Sequence, residues 1–207
     1  PLHSEFINSE NVHDKLQSFN GILVAPGFGE RGVEGKIEAI KYVRLNNIPF
    51  FGICYGMQMA VIEYARNMLK LDDANSTEVN PKTKNPVIDL MEEQKNITEK
   101  GGTMRLGAWK CDITRETLCH SVYKTENIEE RHRHRYELNN KYLNQLEENG
   151  LVASGKNKDT NLVEVVEVKD HPWFIGVQYH PEYKSTVLSP HPLFVSFVSA
   201  AILNKNK

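Results

Sequence analysis

The chain has 207 residues, 40% of them hydrophobic, with 25 Lys and Arg against 27 Asp and Glu. That length suits one domain with a single core, burying roughly 70% of the surface an unfolded chain exposes. Ordinary charged and aromatic content (25% and 9%) argues against disorder. A net charge of -2 argues against a nucleic-acid coat. Apolar runs such as Ile48-Pro49-Phe50-Phe51 fall far short of the ~18 residues of a membrane span.

Gly21 to Ala25 is a short apolar run entering a glycine-rich turn, which predicts a buried strand. From Val33 to Leu45, Val33, Ile37, Ala39, Ile40 and Val43 recur at helical spacing. Pro49 to Ile53 predicts a second buried strand. Gly56 to Leu71 predicts a helix with Met57, Ala60, Val61, Tyr64, Ala65 and Met68 on one face. Near-continuous apolar strands alternating with helices predict a parallel sheet covered on both faces. Asp72 to Lys100 is polar, contains Pro81 and Pro86, and reads as a long surface excursion.

In the later half, Leu162–Val168 and Trp173–Tyr179 are strand-like runs separated by Asp170-His171-Pro172. A connection that short demands an antiparallel pair. Pro192 to Leu203 predicts a closing helix. No repeat, low-complexity tract or linker divides the chain. The expected fold is therefore one α/β domain: a mixed, mainly parallel central sheet with helices on both faces, plus antiparallel strands.

Cys54, Cys111 and Cys119 are an odd number of cysteines without framework spacing. That favours a reducing compartment, the cytoplasm, over a disulfide scaffold. The sequons at Asn75 and Asn96 are discounted as chance tripeptides, with no signal peptide ahead of them. The chain opens at Pro1 rather than Met and is expected to be an excerpt of something longer.

Gly27-Phe28-Gly29-Glu30-Arg31-Gly32 has the form of a dinucleotide loop, G-x-G-x-x-G. The acidic residue such a site wants about 20 positions on is absent around Asn46 to Gly52, leaving a tight turn or a backbone loop lining some other site. Gly52-Ile53-Cys54-Tyr55-Gly56 has the form G-x-nucleophile-x-G at a strand-to-helix junction. Small flanking residues permit the sharp turn, and a helix N-terminus favours thiolate, so Cys54 is the candidate nucleophile and its pKa is expected to lie below those of the other cysteines. The competing reading is a buried structural cysteine.

His180-Pro181-Glu182 ends a strand. It is either a turn or a general base with its orienting carboxylate. Along Glu129 to Glu137, an extended chain places Arg131, Arg133 and Arg135 on one face and His132 and His134 on the other. That run is a solvated strand, an arginine grip for a carboxylate, or, more weakly, a nucleic-acid or metal site.

Together with Asp73 to Glu78 and Gly101 to Gly107, these segments resemble the class I (triad-type) glutamine amidotransferases. Most closely they resemble the C-terminal glutaminase domain of the CTP synthase family, over nearly the whole chain. The resemblance implies catalytic Cys54, His180 and Glu182, and an oxyanion hole from the N–H groups of Gly27 and Tyr55. It implies glutamine contacts at Gly56, Met57 and Gln58, with Glu78 facing the α-ammonium, Arg135 the α-carboxylate, and Phe28 the aliphatic stem. The product is glutamate and ammonia, which the family's synthetase domain uses, with ATP and Mg, to convert UTP to CTP.

That domain, in the same polypeptide and ahead of these residues, is absent here, as are a first strand and helix of the glutaminase domain. The resemblance further implies a ligase of pyrimidine biosynthesis, a homo-tetramer at full length, and GTP activation with Gly101 to Gly107 as the candidate sensor. No cofactor or metal is expected on this domain, and neither nucleic acid nor membrane as a partner. The family usually shows Gly where Pro26 stands. Proline has no N–H, so any donor role there falls to Gly27. A γ-glutamyl peptidase and a catalytically silent regulatory module are the competing readings.

Overall fold

Strands that are apolar on both faces must be covered on both faces, and the second predicted strand is so covered, whereas the first, expected to be buried, lies at the sheet edge with Leu23 39% exposed. The computed structural model describes residues 1–90 and 104–206. The strands are β1 (Ile22–Val24), β2 (Phe50–Ile53), β3 (Asn75–Ser76), β4 (Pro86–Leu90), β5 (Arg105–Ile113), β6 (Asn127–His134), β7 (Tyr136–Leu138), β8 (Leu151–Lys156), β9 (Val163–Val168) and β10 (Phe174–Val177). The helices are α1 (Val12–Leu16), α2 (Val33–Leu45), α3 (Tyr55–Asn67), α4 (Leu118–Tyr123), α5 (Leu143–Glu148) and α6 (Pro192–Lys205).

A seven-stranded sheet runs in the order β1-β2-β10-β9-β8-β5-β6. The strand period of two splits its side chains between two cores. Phe50, Phe174 and Val166 pack with α2, α3 and α5, whereas Phe51, Ile175 and Val165 pack with α4 and α6. Helices on both faces of a mixed sheet are thus present as expected. Parallel ladders join β1 to β2 and β2 to β10. The other four ladders are antiparallel. The antiparallel share exceeds the "mainly parallel" expectation because β8, β9 and β10 follow one another through connections too short for a parallel crossover.

The expected surface excursion is corrected for residues 72–90. β3 and β4 form a second sheet with β7, and Ala74, Asn75, Ser76, Val87 and Ile88 are buried there. Residues 91–100 lie outside the described residues, as do 101–103 of the candidate GTP-sensing segment. The second helix spans Tyr55–Asn67 rather than Gly56 to Leu71. No helix among the described residues is long and apolar enough to cross a membrane.

Candidate active site

β2 ends at Ile53 and α3 begins at Tyr55, so Cys54 alone makes the turn, with φ of 51° in the left-handed region. A non-glycine residue is held there only when its surroundings over-determine it. Here Cys54 N–H donates to Val177 O at 2.7 Å. The glycines permit the close approach: a Cβ on Gly56 would lie 2.2 Å from the Val24 carbonyl oxygen. One on Gly52 would lie 2.8 Å from the Gly56 carbonyl.

The helix N-terminus does not bring the Cys54 thiol below its ordinary value, although it is raised less than that of Cys111, in the expected order. Cys54 is 5% exposed. Burial pushes its pKa up to about 12, opposed by the Tyr55 backbone N–H and assisted by Glu137, Glu182 and Glu78. Desolvation and three carboxylates outweigh the helix N-terminus. Cys111 and Cys119 are also shifted upward by burial, and all three are free thiols.

His180 follows β10, with its N–H donating to Arg131 O at 2.8 Å. Its Nδ1 meets Glu182 Oε1 at 2.6 Å, and its ring stacks on Tyr183 at 5.0 Å between centroids. With Nδ1 so engaged, Nε2 has no hydrogen-bond partner among the described residues. Both Cys54 and His180 line one cleft of about 620 Å³. A thiol, an imidazole and a carboxylate in this order are the parts of a nucleophile–base–orienter relay.

Gly27, Phe28, Tyr55, Gln58, Glu78 and Arg135 also line the cleft, together with Pro26, Met104, Arg133, His134 and Tyr136. Phe28 is 85% exposed at its mouth. The Gly27–Gly32 loop is tied to the site, since Glu78 Oε1 accepts from Gly29 N–H at 3.1 Å and the Tyr55 hydroxyl donates to Gly29 O. Of the alternatives read for that loop, a backbone segment lining another kind of site is where the structure puts it. Three expected residues do not line the cleft. Glu182 stands behind His180, Gly56 packs on the β1 backbone, and Met57 is wholly buried in the core.

The arginine run does not keep one face throughout. β6 ends at His134 and β7 starts at Tyr136, leaving Arg135 at the break beside the cleft. Arg131 lines a different depression with Leu106, Gly107 and Tyr183. His132 and His134 point inward, into a buried charge cluster that the motifs did not announce. Arg105 reaches Glu164 at 2.6 Å and Glu137 at 3.5 Å, and His134 meets Glu137 at 2.8 Å. Burial drives His132 down to about 2 and Glu164 up to about 8, Arg105 opposing the latter.

No group of three or more His, Cys, Asp or Glu placed to hold a metal ion occurs among the described residues. Gln178 is a further residue that the motif reading passed over, although it immediately precedes Tyr179-His180. Its Nε2 lies 3.8 Å from Cys54 Sγ.

This fold and site define a class, and the chain belongs to it: residues 3–200 match the family model described as glutamine amidotransferase class-I. Its relatives place it in the CTP synthase group of that family. It is 69% identical over 201 residues to the CTP synthase of Flavobacterium johnsoniae, a match covering 97% of this chain and 37% of that protein. It is 58% identical over 204 residues to the CTP synthase of Clostridium perfringens, covering 99% of this chain and 38% of that protein. The chain thus spans little more than a third of these relatives.

Among solved structures, the glutaminase domain of Trypanosoma brucei CTPS with bound acivicin matches with a TM-score of 0.90 at 38% identity. That match covers 98% of this chain and 79% of the other. A putative GMP synthase subunit from Thermoplasma acidophilum shares the fold, with a TM-score of 0.64 at 14% identity over 98% of this chain and 80% of the other.

Proposed function

We propose that the chain hydrolyses the side-chain amide of L-glutamine through a Cys54 thioester. The ammonia passes to a synthetase domain of the same polypeptide, which converts UTP to CTP with ATP and Mg. One observation carries this reading: Cys54 and His180 face a cleft that also presents a carboxylate, Glu78, and a guanidinium, Arg135. A free amino acid is a zwitterion, and one fixed group of each sign suits it.

In this mechanism the Cys54 proton passes to His180 Nε2, and Sγ attacks the amide carbon of the substrate. The N–H groups of Gly27 and Tyr55 receive the developing oxyanion, each such donor being worth typically ~3 kcal/mol. His180 returns the proton to the departing nitrogen, ammonia leaves, and a water activated by the same imidazole hydrolyses the thioester. Glu182 orients the ring and stabilises its charged form. Phe28 covers the aliphatic stem and Gln58 assists in seating the substrate. A homo-tetramer, GTP activation and a cytoplasmic setting belong to the same proposal.

The test is to incubate the intact enzyme with a glutamine-mimicking electrophile and locate the adduct by mass, alongside assays of ammonia and glutamate. The expected result is modification of Cys54 alone and equimolar products. Labelling spread over all three cysteines, or turnover of γ-glutamyl peptides in preference to glutamine, overturns the proposal.

A further inference from the structure

We infer that Gln178 is a further catalytic residue, its side-chain amide donating to the Cys54 sulfur and stabilising that sulfur as its proton leaves. The inference rests on the glutaminase reading of the cleft. Gln178 is fully buried just beyond β10, and its N–H donates to Glu164 O at 2.8 Å, so the β9–β10 ladder fixes its backbone.

Its side chain has one orientation available. The Tyr136 carbonyl can only accept, so Gln58 must turn its NH₂ toward it, at 2.8 Å. The same NH₂ gives its other hydrogen to Gln178 Oε1 at 3.2 Å. With its oxygen committed, Gln178 directs its own NH₂ to Cys54 Sγ at 3.8 Å. A hydrogen-bonded chain therefore links the Tyr136 carbonyl, which accepts from Gln58, through the two buried amides to the nucleophile, which accepts from Gln178.

The surroundings explain what such a donor would do. Glu137, Glu182 and Glu78 all disfavour a negative sulfur, and burial adds to them. The Tyr55 backbone N–H opposes these effects, while the positive charge on His180 arises once it has taken the proton. A neutral amide N–H strengthens as charge develops on its acceptor and needs no counter-charge of its own. In the step concerned, the S–H bond breaks, its proton goes to His180 Nε2, and the electron pair stays on Sγ facing the Gln178 amide.

The test compares Gln178→Met, of similar length without a donor, and Gln178→Glu, of the same shape with a carboxyl, in the intact enzyme. Four readouts are needed: kcat and KM for glutamine, the pH profile of Cys54 alkylation by iodoacetamide, ammonia-dependent CTP formation, and Tm. Loss of a donor to a charged acceptor is expected to lower kcat about 10- to 100-fold in Gln178→Met, with KM changed less than about threefold. At every pH up to about 8.5 the alkylation rate should fall about 10- to 100-fold, and further in Gln178→Glu. Ammonia-dependent synthesis should hold.

Wild-type kcat and alkylation profiles with only a lower Tm would mean that Gln178 merely fills the core, overturning the inference while the function stands. An unsubstituted enzyme that releases no ammonia from glutamine would remove both. If both variants lose ammonia-dependent synthesis, the side-chain amide resonance of Gln178 in the unsubstituted enzyme decides. A shift on alkylation of Cys54 supports the contact, and an unchanged signal overturns it.

Discussion

Arg135 and Arg131 are four residues apart in one basic run, yet the end of β6 at His134 gives them different surroundings. Arg135 faces the cleft that holds Cys54, and Arg131 the neighbouring depression. Removing a charge-assisted contact to a carboxylate costs about 1.5–3 kcal/mol, so Arg135→Ala should lower kcat/KM for glutamine roughly 10- to 150-fold, chiefly through KM. Arg131→Ala should stay within about threefold, as befits an exposed charge. Steady-state kinetics on the intact enzyme, with ammonia-dependent synthesis as the folding control, checks this. An unchanged KM in Arg135→Ala would show that this guanidinium does not hold the substrate.

At this scale the sequence was legible where chemistry imposes a spacing. Cys54 stands between glycines at an elbow, and Glu182 is two residues beyond His180, close enough to reach its ring. Gln178 and Arg105 carry no such spacing, because their partners, Gln58 and Cys54 for the one and Glu164 and Glu137 for the other, lie far along the chain. The thiol's charge state was illegible for a related reason. The helix N-terminus is local and visible, whereas Glu137 and Glu78 approach Cys54 only through the fold.

Among the elements, β5, β6, β7 and β9 are clamped together by one arginine. Arg105 of β5 meets Glu164 of β9 and Glu137 of β7, and the latter holds His134 of β6. All four side chains are buried. One guanidinium cannot neutralise two carboxylates, which accords with the upward shift of Glu164. Arg105→Met leaves both acids buried without their cation and should cost about 3–5 kcal/mol. Glu164→Gln removes a charge that burial already disfavours and keeps an acceptor for Arg105, so its cost should be under about 1.5 kcal/mol. Urea unfolding at pH 7 compares them, and equal costs would refute the picture of one cation shared between two acids.

The elements themselves were readable in proportion to their apolar runs. β2, β9, β10 and α2 stood out because burial on both strand faces, or on one helix stripe, is written into consecutive residues, and β1 stood out as an apolar run although it lies at the sheet edge. β3 and β4 were not readable. Asn75, Ser76, Pro86 and Asp89 have poor strand propensity, and these strands exist because β7 arrives from far along the chain to pair with β4.

For the molecule as a whole, the two-sided core sets a response to alkali. Cys111, Cys119, Tyr123 and Tyr179 lie together in the core beneath α4 and α6, and burial raises the pKa of each above its ordinary value. A group with a raised folded pKa keeps its proton in the native state after the unfolded chain has lost it. The unfolded state then binds fewer protons, and stability falls as pH rises. The loss begins near the unfolded thiol value of about 8.5, steepens near the tyrosine value of about 10, and amounts to as much as about 1.4 kcal/mol per group per pH unit.

His132 has the opposite sign. Its folded pKa is lowered to about 2, so its contribution is present above the unfolded value of about 6.5 and is lost as pH falls below it. Glu164, raised to about 8, contributes below its unfolded value of about 4.3 and loses that contribution as pH rises toward 8. Between pH 6.5 and 8.5 neither the cysteines nor His132 impose a slope, and Glu164 alone lowers stability up to about pH 8. Thermal unfolding from pH 5 to 10.5 should therefore show Tm declining gently through the neutral range and falling steeply above about pH 8.5. Replacing both Cys111 and Cys119 by Ala should lower Tm at pH 7.5 by creating small cavities, yet flatten the alkaline fall between pH 8.5 and 10. An alkaline slope as steep in the double variant as in the parent would mean that these thiols are not what the core withholds from ionisation.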